Sequence, residues 1–93
     1  MFYGMNSSRN WRIVVTDGAA KQIKRLPRDI AERIELVIES MRVDPFGGDI
    51  VKLGGGAPTW RRHIGAYRIL FKILFEERII FIREVIRRSS KTY

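Results

Sequence analysis

The chain has no cysteine, a single histidine and three prolines, and its 10 Asp and Glu are outnumbered by 18 Lys and Arg among 93 residues. Without cysteine there is no disulfide, no zinc-thiolate site and no thiol nucleophile, which suits a reducing, cytoplasmic setting. One histidine with no acid beside it in sequence makes no metal site, so neither a metal nor another cofactor is expected. No apolar run approaches the ~20 residues of a membrane span, so no membrane association is expected. The opening Met1 to Asn10 lacks the apolar stretch of a secretory signal and reads as a frayed tail over residues 1–10, leaving residues 11–93 as a single domain. A chain of this length buries roughly 60 to 65 per cent of the surface it exposes when unfolded, enough for one core.

What is present is positive charge, unevenly placed. Residues 1–50 hold 8 Lys and Arg against 7 Asp and Glu, whereas residues 51–93 hold 10 against 3. A balanced half joined to a basic half points to a polyanionic partner on the second, with nucleic acid the first expectation and an acidic protein the rival. The hydrophobic fraction of 45% is that of a folded globular chain.

Taken in order, Trp11 to Thr16 is a short β-branched run that reads as a strand. Thr16 or Asp17 then caps a helix whose Ala19, Ile23 and Leu26 form one apolar stripe. Pro27 opens a second helix, Arg28 to Met41, with Ile30, Ile34, Val37, Ile38 and Met41 on its buried side. Its Glu32, Glu35 and Glu39 read as a solvated face. Asp44-Pro45-Phe46-Gly47-Gly48 is a turn, and Gly54-Gly55-Gly56-Ala57-Pro58 a connector rather than a phosphate loop, because no Gly-Lys-Ser/Thr follows and no helix begins there. Trp60 to Ile64, Tyr67 to Phe75 and Arg78 to Val85 read as a meander of strands. The expected fold is α+β: two amphipathic helices on one face of a roughly four-stranded antiparallel sheet, in the order β-α-α-β-β-β.

If Gly65-Ala66 is a hairpin loop, Ile64 pairs with Tyr67, His63 with Arg68, Arg62 with Ile69, Arg61 with Leu70 and Trp60 with Phe71. Arg61, His63 and Arg68 then share one face, while Trp60, Ile64, Tyr67, Ile69 and Phe71 share the other with one misfit, Arg62. A two-residue turn at Glu76-Glu77 would set Leu70 against Arg83 and Arg68 against Val85, placing Arg83 and Arg87 on the basic face as well.

That face suits RNA cleavage without a metal. The RNA's own 2′-hydroxyl can attack the neighbouring phosphate if one group removes its proton, another stabilises the phosphoryl charge and a third protonates the leaving 5′-oxygen. Guanidinium forks match phosphate and stay charged. His63 is the one side chain whose ordinary pKa lies near neutrality, and Tyr93 serves as base only with help from Arg87 or Arg88. Lys52, Arg83, Arg88 and Lys91 are expected along the RNA backbone.

Over nearly the whole chain, from Trp11 to Tyr93, these features resemble the RelE/ParE superfamily of toxin-antitoxin toxins. The resemblance rests on the element order, Lys-Arg-Leu-Pro at Lys24 to Pro27, Lys52-Leu53-Gly54, the Trp60 to Arg68 hairpin, and a basic tail closing on Tyr93. It implies a toxin silenced by a cognate antitoxin in a hetero-oligomer. In the RelE branch it implies binding to the ribosome and cleavage of messenger RNA by the 2′-hydroxyl route. Carried over, Arg61, His63 and Arg68 would hold and stabilise the phosphate, Arg87 would assist the leaving oxygen, and Tyr93 would act as base and stack on a nucleobase. The antitoxin would cover the basic face, with acids against Arg61, Arg68 or Arg87. The chain departs from the family pattern at His63, where Lys or Arg is usual, at Arg62, which replaces an apolar core residue, and at Ser89, which replaces a frequent Arg. The ParE branch implies instead a DNA gyrase inhibitor without nuclease activity, and a non-catalytic nucleic-acid-binding module is the third alternative.

Overall fold

Thr16 leaves the first strand in an extended conformation, and its side chain starts the first helix: Oγ1 accepts from the Ala19 N–H at 3.2 Å. The computed structural model describes residues 10–48, 50–54 and 59–88. The expected tail, apart from Asn10, lies outside the described residues, as do residues 55–58 of the glycine connector. The elements are β1 (Arg12–Val15), α1 (Asp17–Lys24), α2 (Arg28–Ser40), β2 (Ile50–Leu53), β3 (Thr59–Ile64), β4 (Tyr67–Leu74) and β5 (Ile79–Arg87).

The helical stripes fall where the spacing puts them. Ala19 and Ile23 of α1 and Ile34 and Ile38 of α2 are buried, and Met41, just past the end of α2, is fully enclosed. The acids of α2 lie on its exposed side. Glu39 accepts from Arg42 at 2.8 Å, and that hydrogen bond and charge hold its carboxyl below the usual range.

The sheet differs from expectation in two respects. It has five strands, in the order β1-β5-β4-β3-β2, and it is mixed, because β1 runs parallel to β5 while the other pairs are antiparallel. The additional strand is β2, four residues that pair with β3 in the register Ile50↔Arg62 to Leu53↔Thr59. So short a run, leading into glycines, carries little periodicity of its own.

One face of the sheet, here the inner face, packs under the helices and supplies Ile64, Ile69, Phe71, Ile80, Ile82 and Val85 to the core. At the end nearer the β4–β5 loop, Trp11, Phe46, Phe75 and Trp60 form an aromatic cluster with centroid separations from 5.7 to 6.3 Å. Arg62 does stand on the inner face, opposite Ile69. It is accommodated because Gly48 has no side chain: a Cβ there would lie 2.7 Å from Arg62 Nη2, and the backbone at Gly48 has φ +80°.

The two hairpins are built differently. Gly65 and Ala66 form a tight two-residue loop, with Gly65 at φ +57°, and the β3–β4 register is the one expected from sequence, Ile64↔Tyr67 through Trp60↔Phe71. The β4–β5 register also begins as expected, Leu74↔Ile79 to Phe71↔Ile82, around a turn over residues 75–78. It then slips by one residue, so that Leu70 opposes Glu84, Arg68 opposes Ile86 and Tyr67 opposes Arg87. Arg83 is the extra residue of a β-bulge.

The bulge is held from α1 and the residue that caps it. Thr16 Oγ1 donates to the Arg83 carbonyl at 3.3 Å, and the Val85 N–H donates to Gln22 Oε1 at 2.7 Å. The Thr16 N–H donates to the Ile82 carbonyl at 3.1 Å. Backbone groups around the interrupted ladder thus find partners in the preceding helix.

Candidate functional site

Paired residues of a sheet share a face, so the register fixes the outer face, away from the helices, row by row. The row nearest the Gly65-Ala66 loop is His63, Arg68 and Ile86. The next is Val51, Arg61, Leu70 and Glu84. Beyond them lie Leu53, Thr59, Lys72 and Phe81. Arg61, His63 and Arg68 therefore stand together on the outer face, as the hairpin pattern implies.

All three are half-buried, and the Nε atoms of Arg61 and Arg68 are buried with no hydrogen-bond partner. An unsatisfied buried donor costs about 1 to 3 kcal/mol. Two such donors on one face are a structural cost of this arrangement. Among the described residues, neither guanidinium makes an ion pair; the short pairs there, Arg28–Glu32 and Arg42–Glu39, lie along and just past α2. His63 and Arg68 sit directly opposite, so the imidazole and a guanidinium share one point of the outer face.

The remaining candidates separate. Arg87 was expected on the basic face but opposes Tyr67 and so falls on the inner side; the bulge shifts the register by one residue and reverses its face. Arg83, also expected there as the partner of Leu70, is the bulged residue and is exposed. Lys52 opposes Trp60, with Nζ 6.0 Å from that ring's centroid, and likewise has inner parity. Arg88 is exposed; its N–H donates to the Ala66 carbonyl at 2.7 Å, and its Nη1 lies 3.5 Å from the Gly65 carbonyl. Lys91 and Tyr93 lie outside the described residues.

Two residues escaped the sequence reading. Glu84 would have faced Ile69 on the inner side in an unbroken ladder; the bulge carries it to the outer face, two strands from Arg61. Arg33 lies on α2 among acids that read as a solvated face, yet its Nη1 lies 3.6 Å from where a Cβ on Gly65 would be. No local signal marks either placement, since both follow from contacts between distant segments. A groove of about 390 Å³, lined in part by Ile13, Ile23, Ile38 and Glu39, lies between β1 and the helices, apart from the outer-face set. No helix among the described residues is long and apolar enough to cross a membrane.

Residues 13–91 match the family described as ParE toxin of type II toxin-antitoxin system, parDE. The chain is a toxin of the RelE/ParE superfamily. The toxin is 32% identical over 73 residues to a Methanocaldococcus jannaschii protein named "Putative toxin RelE1", a match covering 75% of this chain and 81% of that one. Its fold is that of RelE in the archaeal RelE-RelB complex from Pyrococcus horikoshii, with a TM-score of 0.79, 20% identity and coverage of 88% and 99% of the two chains. The RelB-RelE antitoxin-toxin complex from Methanococcus jannaschii gives a TM-score of 0.66 at 26% identity, covering 80% of this toxin and 88% of that chain.

Proposed function

We propose that the toxin is a ribosome-dependent endoribonuclease of the RelE type, cutting messenger RNA through its own 2′-hydroxyl. The observation that carries this reading is the outer-face pair Arg61 and Arg68, each with a buried Nε lacking a partner, with the one histidine directly opposite Arg68 and on the same strand face as Arg61. The curated relative named for RelE supports it.

In this mechanism the two guanidiniums bind the scissile phosphate and gain strength as charge builds on its non-bridging oxygens. A base removes the 2′-hydroxyl proton, the 2′-oxygen bonds to phosphorus, and the P–O5′ bond breaks as the 5′-oxygen takes up a proton from water. The products are a 2′,3′-cyclic phosphate and a 5′-hydroxyl. His63, opposite Arg68, and Tyr93 in the tail are the two candidate bases. The chemistry takes its nucleophile from the substrate, so no metal is a required participant. Arg87, with inner parity, is assigned to RNA binding rather than to the leaving oxygen. The toxin's protein partner is a cognate antitoxin: both solved relatives described above are complexes with RelB. We place the antitoxin's acids against the outer-face arginines, and the working site in the cytoplasm.

The test is incubation of the purified toxin with ribosomes translating a defined message in the presence of EDTA, with mapping of RNA ends. Discrete cuts bearing 2′,3′-cyclic phosphate ends are expected. The second reading, a gyrase inhibitor, has one observation in its favour, the ParE description of the matching family. Intact messages together with a DNA-damage response would establish that reading and overturn the first.

A further inference from the structure

The tip of the β3–β4 hairpin gathers three arginines from two parts of the chain. Arg33 comes from α2 on the inner side, with Nη1 3.6 Å from the position of a Gly65 Cβ. Arg88 comes from the end of β5, with Nη1 3.5 Å from the Gly65 carbonyl. Arg87 is turned to inner parity by the bulge and stands opposite Tyr67, one residue from the loop. All three arginines are exposed, and among the described residues none has a carboxylate partner. Like charges brought together without an acid repel one another, and an anion between them removes that repulsion.

We infer that Arg33, Arg87 and Arg88 form a second backbone-phosphate site for single-stranded RNA at the tip of the hairpin, with Arg33 and Arg87 on the helix side and Arg88 at the loop. The inference rests on the RNA-directed reading above and adds a path to it. Arg68 faces outward and its neighbour Tyr67 inward, so a strand crossing the loop meets Arg61 and Arg68 on one side, Arg88 at the tip, and Arg33 and Arg87 on the other. Single-stranded RNA is the occupant argued for, because its backbone presents phosphates in succession to cations on both sides of the loop. The outer-face set holds the phosphate that reacts, while the set at the hairpin tip holds one that does not.

The test is fluorescence anisotropy with a labelled, 2′-O-methylated single-stranded RNA, which cannot be cut, over about 50 to 200 mM salt. Each phosphate contact on a single strand contributes about −0.7 to the slope of log K against log salt. Arg33→Ala is expected to weaken binding severalfold at low salt and to reduce the slope by about 0.7, and Arg33→Lys to retain the slope. Arg12→Ala, which removes the same charge at the far end of the sheet, is expected to leave the slope intact. An unaltered slope in Arg33→Ala, or an equal loss in Arg12→Ala, would overturn the site. So would an unaltered RNA slope accompanied by loss of binding to a poly-glutamate peptide, which would assign the trio to an acidic protein. Because the probe is uncleavable, the two proposals fail separately: absence of cutting elsewhere would refute the nuclease reading alone.

Discussion

The two hairpins that share β4 differ in what fixes them. The β3–β4 hairpin is specified locally, by a glycine at positive φ in a two-residue loop and by unbroken pairing from Ile64↔Tyr67 to Trp60↔Phe71. The β4–β5 hairpin is specified from outside: its ladder slips at Arg83, where Thr16 and Gln22 of the N-terminal segment bond the Arg83 carbonyl and the Val85 N–H. The first hairpin brings Arg61, His63 and Arg68 to one face. The second sends Glu84 to that face and Arg87 away from it. One inserted residue thus divides the arginines of the basic half between two sides of the sheet.

The largest effect that would separate the hairpins is chemical. Arg61→Ala or Arg68→Ala should each lower the rate of RNA cleavage on ribosomes by about 10²- to 10³-fold, as loss of a donor to a charged transition state does. Arg83→Ala, in the bulge, should change that rate far less. Equal losses from all three variants would erase the distinction.

Next comes the clamp on the bulge. Gln22→Leu removes the acceptor for the part-buried Val85 N–H and should destabilise the toxin by about 1 to 3 kcal/mol in chemical denaturation. Gln22→Glu, which keeps an acceptor, should recover most of that. Amide exchange at Val85 should quicken in the leucine variant while the amides of β3 keep their protection. Uniform loosening of both hairpins would show that they are not independently specified.

The first hairpin has its own weak point at Gly65, where an alanine would carry the same positive φ at about 1 kcal/mol. The smallest effect is that of Glu84→Gln. On an exposed outer-face position it should shift stability by no more than about 0.5 kcal/mol, while the removal of a negative charge beside the proposed path tightens RNA binding slightly. Weaker binding in Glu84→Gln would mean that the carboxylate takes part directly.

The same contrast explains what could be read from the amino acids alone. The helical stripes, the Thr16 cap and the first hairpin are short-range features, and each stands where its spacing put it. The outer-face trio follows from that hairpin by parity alone. The bulge has no glycine or proline to announce it, and its cause lies more than sixty residues away in sequence, at Thr16 and Gln22. For the same reason the parallel pairing of β1 with β5 is invisible to local pattern, and so is the approach of Arg33 to Gly65. Arg62 is the converse case: its misfit with the core was legible, but the space for it depends on Gly48, in a loop distant in sequence.

The most direct test of a catalytic outer face and a binding inner side is single-turnover cleavage on programmed ribosomes, with toxin varied to saturation, for Arg68→Ala and Arg33→Ala side by side. Arg68→Ala should lose the saturating rate, whereas Arg33→Ala should keep that rate and raise only the half-saturating concentration. A saturating rate that falls in Arg33→Ala and persists in Arg68→Ala would contradict the assignment of the two faces.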